Sequence, residues 1–393
     1  MKKVITVLLA LVLVMSMMVT GCKKDEVKTT DNNSTNDGVT AEDAKDSEED
    51  GTKDSETTKV NKDDITVGFV FVGPVGDGGW TYAHNEGRLY IEEQLGVKTL
   101  FNESVKETQE CEQVMRDMID QGANVIFATS FGYMKYVKAL AEEYPDVKFF
   151  HCSGFEKADN MSNYFGRIYQ SRYLSGIVAG LKTESNKIGY VAAFSIPEVV
   201  RGINAFTLGA QSVNPDVEVE VVWTSTWYDP AKEKEAAIAL LDKGCDVIAQ
   251  HQDTAGPQQA AEERGKYSIG YNTDMQKVAQ KANMTSAIWN WGPYYIDSVQ
   301  SVIDGTFEST SYWGGLNEGI VGLVPLTDVA PEDAKSLVED ATDKIKDGSL
   351  HVFEGPIYNQ EGELAVKEGE ALTDAEMLSI NWFVKGVIGK IQE

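Results

Sequence analysis

Cysteine and histidine are both scarce in this chain, with four of each in 393 residues. Cys111, Cys152 and Cys245 stand far apart with no CxxC spacing. That excludes a disulfide framework and a zinc site, and each lies in an apolar or helical stretch suited to a buried thiol. The histidines, His84, His151, His251 and His351, lack any spacing that would make a metal or catalytic pair. GxSxG, HExxH, Walker A and a GxGxxG after a strand are also missing. These gaps argue against an enzyme and imply no cofactor and no metal. Positive charge is short too: 35 Lys and Arg against 62 Asp and Glu, a net charge of −27. Such a balance excludes nucleic acid as a partner, because phosphates require a basic patch. Finally, the longest apolar run, residues 4–19, is about 16 residues, below the roughly 20 that a spanning helix needs.

What is present begins with that run. Lys2 and Lys3 precede it and Thr20-Gly21-Cys22 follows it, the layout of a secretory signal peptide over residues 1–21. Val19-Thr20-Gly21-Cys22 resembles a bacterial lipobox, which makes Cys22 the expected lipidation site and the cell membrane's outer face the expected location. Residues 22–64 are then dominated by Asp, Glu, Lys, Ser, Thr and Asn. They bury too little apolar surface to offset chain entropy and are expected to form a disordered tether. Its root-mean-square reach would be roughly 35 Å.

Residues 65–393 are long enough for two lobes with separate cores. Short apolar strands are predicted over 65–72, 124–128 and 147–151, with helices over 81–95, 108–121 and 133–144 between them. That alternation argues for a parallel sheet of βαβ units. The order then repeats. A strand over 187–192 answers the first, a helix over 199–211 answers the first helix, and a strand over 266–271 answers 147–151. Met118-Ile119-Asp120-Gln121-Gly122-Ala123 is echoed by Leu240-Leu241-Asp242-Lys243-Gly244-Cys245. The expected fold class is therefore α/β, with two Rossmann-like lobes: lobe 1 over about 65–168, lobe 2 over about 185–293. Segments beyond 293 complete both. Crossings are expected over 164–172, 294–298 and 314–321, forming a hinge.

In open parallel sheets, ligands bind beyond the carboxyl ends of the strands. The loops at those ends are rich in aromatics where loops are ordinarily polar. Lobe 1 offers Trp80, Ser130 and Phe131; lobe 2 offers Trp227, Asp253, Asn272 and Asp274, followed by Trp291. Two aromatic faces with a few amides and carboxylates suit a flat heteroaromatic ligand. Trp80 and Trp227 are expected to stack on its two faces, with Asp253 and Asn272 reading its edge. His84 and His251 are within reach of the same cleft.

These loops carry a resemblance to a known family. Asp77-Gly78-Gly79-Trp80 with Glu86-Gly87, Tyr144-Pro145-Asp146-Val147-Lys148-Phe149, Asp229-Pro230-Ala231-Lys232 and Thr285-Ser286 resemble the basic membrane protein family of substrate-binding lipoproteins, which includes purine nucleoside receptors. The resemblance covers the domain from residue 65 onward. It implies a type I periplasmic-binding fold that delivers a small molecule to an ABC permease, working as a monomer anchored by lipid. It also implies aromatics stacked on a purine at the positions of Trp80 and Trp227. The chain departs from the family where Trp289 replaces a ribose-directed lysine, Ser153 an acid, and Asn272 the first of two acids. Those departures point to a purine nucleobase rather than a nucleoside. The alternatives are nucleoside binding, or a sensor that presents its ligand to a receptor; a nucleosidase is disfavoured by the missing catalytic motifs.

Overall fold

The computed structural model describes residues 59–392. The signal peptide, Cys22 and most of the expected tether lie outside the described residues. Lobe 1 is built on strands β1 (Thr66–Val70), β2 (Lys98–Asn102), β3 (Val125–Ala128), β4 (Lys148–Cys152) and β5 (Met161–Gly166). Lobe 2 is built on β6 (Lys187–Ala192), β7 (Glu218–Trp223), β8 (Val247–His251), β9 (Tyr267–Asn272) and β10 (Asn283–Trp289). Two later strands return to these sheets: β11 (Ser311–Gly314) joins lobe 1 and β12 (Val321–Leu323) joins lobe 2. A hairpin, β13 (Ile357–Tyr358) with β14 (Leu364–Val366), and an edge strand, β15 (Val387–Ile388), complete the set.

The lobe 1 sheet runs β11-β5-β4-β3-β1-β2, and every pairing in it is parallel. The lobe 2 sheet runs β12-β10-β9-β8-β6-β7-β15, parallel except for β12 against β10. Both orders reverse at one place, between β1 and β3 in lobe 1 and between β6 and β8 in lobe 2. A crevice opens at such a switch point, beyond the strand ends.

Three helices cover lobe 1: α1 (Trp80–Leu95), α2 (Gln109–Asp120) and α3 (Met134–Glu143). Lobe 2 carries α4 (Ile168–Lys182), α5 (Pro197–Val213), α6 (Pro230–Asp242) and α7 (Gly256–Glu263). Asp229 caps α6 by accepting from the Lys232 amide, with Pro230 at the first helical position. α4 and α5 pack backbone to backbone: a β-carbon on Gly176 would stand 2.1 Å from the Phe206 carbonyl oxygen. Any side chain there would force the pair apart.

The chain crosses between lobes after β5, after β10 and between β11 and β12. The second crossing falls at Asn290 and Trp291, earlier than the expected 294–298. The reason is α8 (Gly292–Ile303), which starts at Pro293's preceding glycine and is already packed on α1. Gly87 of α1 permits this, since a β-carbon there would lie 2.8 Å from the Tyr295 ring. β2 had no strand signal in the sequence because it is a half-exposed edge. The chain ends with α9 (Ala334–Asp347), packed on α4, and α10 (Asp374–Leu378), set by a Thr373–Glu376 capping box.

Candidate functional site

A cavity lies between the strand ends of the two lobes. Lobe 1 lines it with Val72, Trp80, Ser130, Phe131 and Ser153, and lobe 2 with Glu198, Trp227, His251, Asp253 and Tyr271. Every one of these follows or ends a parallel strand, or starts the helix after it.

The lobe 1 wall is held from behind. The Asp77 carboxylate accepts from the amides of Gly79, Thr81 and Tyr82 at 2.8–2.9 Å, so it fixes the first turn of α1. Burial raises the Asp77 pKa, and those amides act the other way. Trp80 then donates its indole N–H to the Thr129 carbonyl at 2.8 Å. Its ring packs edge-on against His84, Trp289 and Trp291. Ser130 donates its hydroxyl to Glu107 at 2.6 Å, and Glu107 also accepts from the Gly132 amide at 2.7 Å. Phe131 is half-buried and, among the described residues, packs on no other aromatic ring.

The lobe 2 wall is polar. Asp253 is buried, and its Oδ2 has no protein partner. Its carboxyl is pushed well above the usual carboxylate range by burial, helped by the like charges of Asp77 and Glu233. Glu233 braces this loop, accepting from the Thr254 hydroxyl at 2.5 Å and the Asp229 amide at 2.9 Å. Burial pushes Glu233 up to about 7. His251 Nε2 lies 3.2 Å from Glu198 Oε1 and 3.3 Å from the Tyr271 hydroxyl. Burial drags the imidazole down to about 4, so it is neutral at pH 7. The Arg172 guanidinium stacks on the far face of Tyr271, 3.5 Å from its centroid.

The structure brings Trp80, Ser130, Phe131, Trp227 and Asp253 onto one cavity. It does not bring Asn272, Asp274 or Trp291 there. Asn272 is fully buried with both amide atoms engaged: Nδ2 donates to the Gln252 carbonyl at 3.2 Å, and Oδ1 accepts from the Trp289 indole at 3.1 Å. It props the two walls from behind, in a left-handed conformation with φ of 70° that asparagine tolerates better than most residues. Asp274 is exposed and turns back onto the Gln276 amide at 2.9 Å. Trp291 is buried beneath Trp80, stacked between Trp289 and His84 at 4.5 Å from each. His84 shares that layer, bonded to the Tyr295 hydroxyl, and does not reach the cavity. Glu198 and Tyr271 were not anticipated. Glu198 had one available signal, an acid in the first turn of a helix that follows a strand end. Tyr271 had none, because it reads as a core residue of β9.

Two α/β lobes with a cavity between their strand ends have the layout of a solute-binding protein. Residues 65–361 match the family model described as ABC transporter substrate-binding protein, PnrA-like. The chain belongs to that family of ABC transporter substrate-binding proteins. It is 43% identical over 331 residues to a purine-binding protein of Brucella abortus (strain 2308), covering 84% of this chain and 94% of that one. It is 40% identical over 294 residues to a putative ABC transporter glucose-binding protein of Haloferax volcanii, covering 75% of this chain and 73% of that one. Among solved structures, an ABC transporter solute-binding protein of Aeropyrum pernix K1 superposes with a TM-score of 0.67 at 23% identity. That likeness covers 74% of this chain and 94% of the other, and it shows the shared periplasmic-binding fold. Membership implies a small-molecule ligand, an ABC permease partner and an extracytoplasmic place of work. The family is one of receptors, not enzymes.

Proposed function

We propose that this protein captures a purine nucleobase, adenine-like in shape, between its two lobes and delivers it to an ABC permease. The observation that carries the reading is the asymmetry of the cavity walls. One presents aromatic faces at Trp80 and Phe131, with Trp227 opposite; the other presents Glu198, Asp253 and Tyr271 to a ring edge. The carboxyl groups of Glu198 and Asp253, with Asp77, Glu107 and Glu233 nearby in the two lobes, disfavour a phosphorylated ligand and favour one rich in N–H donors.

Titration calorimetry with adenine, hypoxanthine, guanine, adenosine and glucose tests the reading. A free base is expected to bind most tightly. Adenosine binding far more tightly than every base would shift the assignment to nucleosides, and glucose binding with no purine response would overturn it. Anchoring through a lipid on Cys22 belongs to the same proposal. Cys22→Ser should release the protein from the membrane fraction; retention would assign the anchor to the apolar run itself.

A further inference from the structure

Behind the lobe 2 wall, three polar atoms converge around Gly202 in α5. From the point a β-carbon would occupy, His251 Nδ1 lies at 3.5 Å, Arg172 Nε at 3.8 Å and the Tyr190 hydroxyl at 3.8 Å. None of the three has a hydrogen-bond partner within the protein. Arg172 and Tyr190 are 0% exposed and His251 is 2% exposed. Arg172 spends one N–H on the Gln250 carbonyl at 2.7 Å and its face on Tyr271, which leaves Nε pointing at this space. Folded proteins satisfy such convergent buried groups with ordered water, which typically makes about three hydrogen bonds.

We propose that one ordered water bridges Arg172 Nε, the Tyr190 hydroxyl and His251 Nδ1, and that it selects the His251 tautomer on which ligand recognition depends. A guanidinium can only donate. The water accepts from Arg172, and because Glu198 Oε1 opposite Nε2 calls for a donor there, the water's own proton goes to His251 Nδ1. A neutral imidazole carries a single N–H, and it is thereby placed on Nε2. From there it donates towards Glu198 Oε1 and the Tyr271 oxygen, the two groups within 3.3 Å. Tyr271 then keeps its own proton for the cavity, while Glu198 remains an acceptor. The opposite tautomer would draw the Tyr271 proton onto Nε2 and set a lone pair against the Glu198 carboxylate. The wall thus shows a donor beside an acceptor. It matches a ligand edge that carries an N–H next to a ring nitrogen or carbonyl, as amino- and oxopurines do. Arg172 and Tyr190 are positioning residues in this scheme, and its ligand half rests on the purine reading above.

The test is long-range ¹H–¹⁵N correlation of the imidazole nitrogens in the full ligand-free protein, which has only four histidines to assign. Wild type is expected to show His251 as the Nε2–H form. Gly202→Ala places a methyl at ordinary van der Waals distance from all three atoms, so the helix accepts it while the water's space is filled. Tyr190→Phe removes one of the three partners. Both variants should show a mixed tautomer, with adenine affinity lowered about threefold to tenfold, as for one net hydrogen bond. Gly202→Ala should keep a cooperative unfolding transition, with the stability that alanine gains over glycine in a helix set against the cost of leaving buried polar groups unpaired. An Nδ1–H form in the wild type would overturn the proposal. So would an unchanged Nε2–H form in both variants, or a shifted tautomer with unchanged adenine affinity. If adenine fails to bind wild type at all, the purine reading falls, and the tautomer measurement still decides the water bridge.

Discussion

The two walls of the cleft are built on the same βαβ plan and do opposite work. The lobe 1 wall is a packed aromatic block, in which Trp80 is backed by His84, Trp289 and Trp291 with rings 4.4–5.8 Å apart. Its polar groups are consumed internally, as with Ser130 bonded to Glu107. The lobe 2 wall spends its burial on ionisable groups: Glu198, His251 and Asp253 in front, Glu233 and Arg172 behind. An apolar face contributes area and stacking, which tolerate many flat rings. A buried polar edge penalises every ligand that leaves it unpaired. On the purine reading proposed above, stacking is shared by Trp80 of lobe 1 and Trp227 of lobe 2, while the discriminating polar edge lies in lobe 2.

The largest effect expected from breaking this division is at Trp80. Trp80→Ala removes a stacking face and should cost about 2–4 kcal/mol of binding, roughly 30-fold to 1,000-fold in Kd. Because the ring is also 92% buried by its 8% exposure, stability should fall by about 3–5 kcal/mol as well. Trp227→Ala, on a half-buried ring, should lose affinity with a much smaller loss of stability. Calorimetry and denaturant unfolding of both variants would separate the two roles. A Trp80→Ala protein that keeps its ligand affinity would end the stacking model for lobe 1.

The second test is a pH profile, because the lobe 2 wall couples stability to protons in both directions. His251 has its pKa depressed to about 4. The stability linked to it is present above the unfolded value of about 6.5 and lost as pH falls through 4. Glu233 is the reverse case, raised to about 7. The folded state keeps a proton that the unfolded chain has released, so the linked stability is present below about 4.5 and lost as pH rises through 7. For Glu233 that loss is on the order of 3 kcal/mol. Unfolding of the ligand-free Glu233→Gln variant should therefore fall less steeply from pH 5 to 8 than wild type, even though the amide makes poorer bonds to Thr254. Parallel profiles would mean that Glu233 is ionised throughout.

The third test is of the seam between the walls. A β-carbon on Gly79 would stand 2.2 Å from the Asp253 carbonyl oxygen, a backbone atom that cannot swing away. The same loop receives the Thr273 hydroxyl at the Gly78 carbonyl. Gly79→Ala should hold the lobes apart, weakening ligand about tenfold or more while leaving each lobe's own packing intact. Small-angle scattering should then show a wild-type radius of gyration that shrinks with ligand and a variant whose radius does not. Equal shrinkage in both would show that this contact yields easily.

Much of this architecture was legible in the sequence, for a physical reason. Buried parallel strands such as Ile188-Gly189-Tyr190-Val191 are continuous apolar runs, and the duplicated Asp-Gln-Gly-Ala and Asp-Lys-Gly-Cys turns mark the two halves. Position at a strand end was enough to bring Trp80, Ser130, Phe131, Trp227 and Asp253 to the cavity. Direction was not legible. Asn272 and Asp274 flank the same strand end, yet a positive φ turns the first inward behind the wall and the second faces solvent. Trp291 was read as a loop residue, but α8 packs so closely on Gly87 that the indole becomes the floor beneath Trp80. Glu198 and Tyr271 gain their roles through partners distant in the chain, and no local pattern announces that.

The smallest expected effect is the sharpest check on that point. Asp274 follows Asn272 by two residues and is matched by the family resemblance to a ligand-directed acid. Here its carboxylate accepts from the Gln276 amide at 2.9 Å and lies on the outer groove with Gly78, Thr273 and Lys277. An exposed charge contributes little to a ligand sequestered elsewhere, since water screens it. Asp274→Ala should change purine affinity by less than about twofold, within the roughly 0.5 kcal/mol typical of surface substitutions. The change should be equally small at low and high salt. A loss of tenfold or more by calorimetry would mean that the lobe 2 wall extends around the strand end to Asp274, and that the edge of the ligand is read from both sides of Asn272.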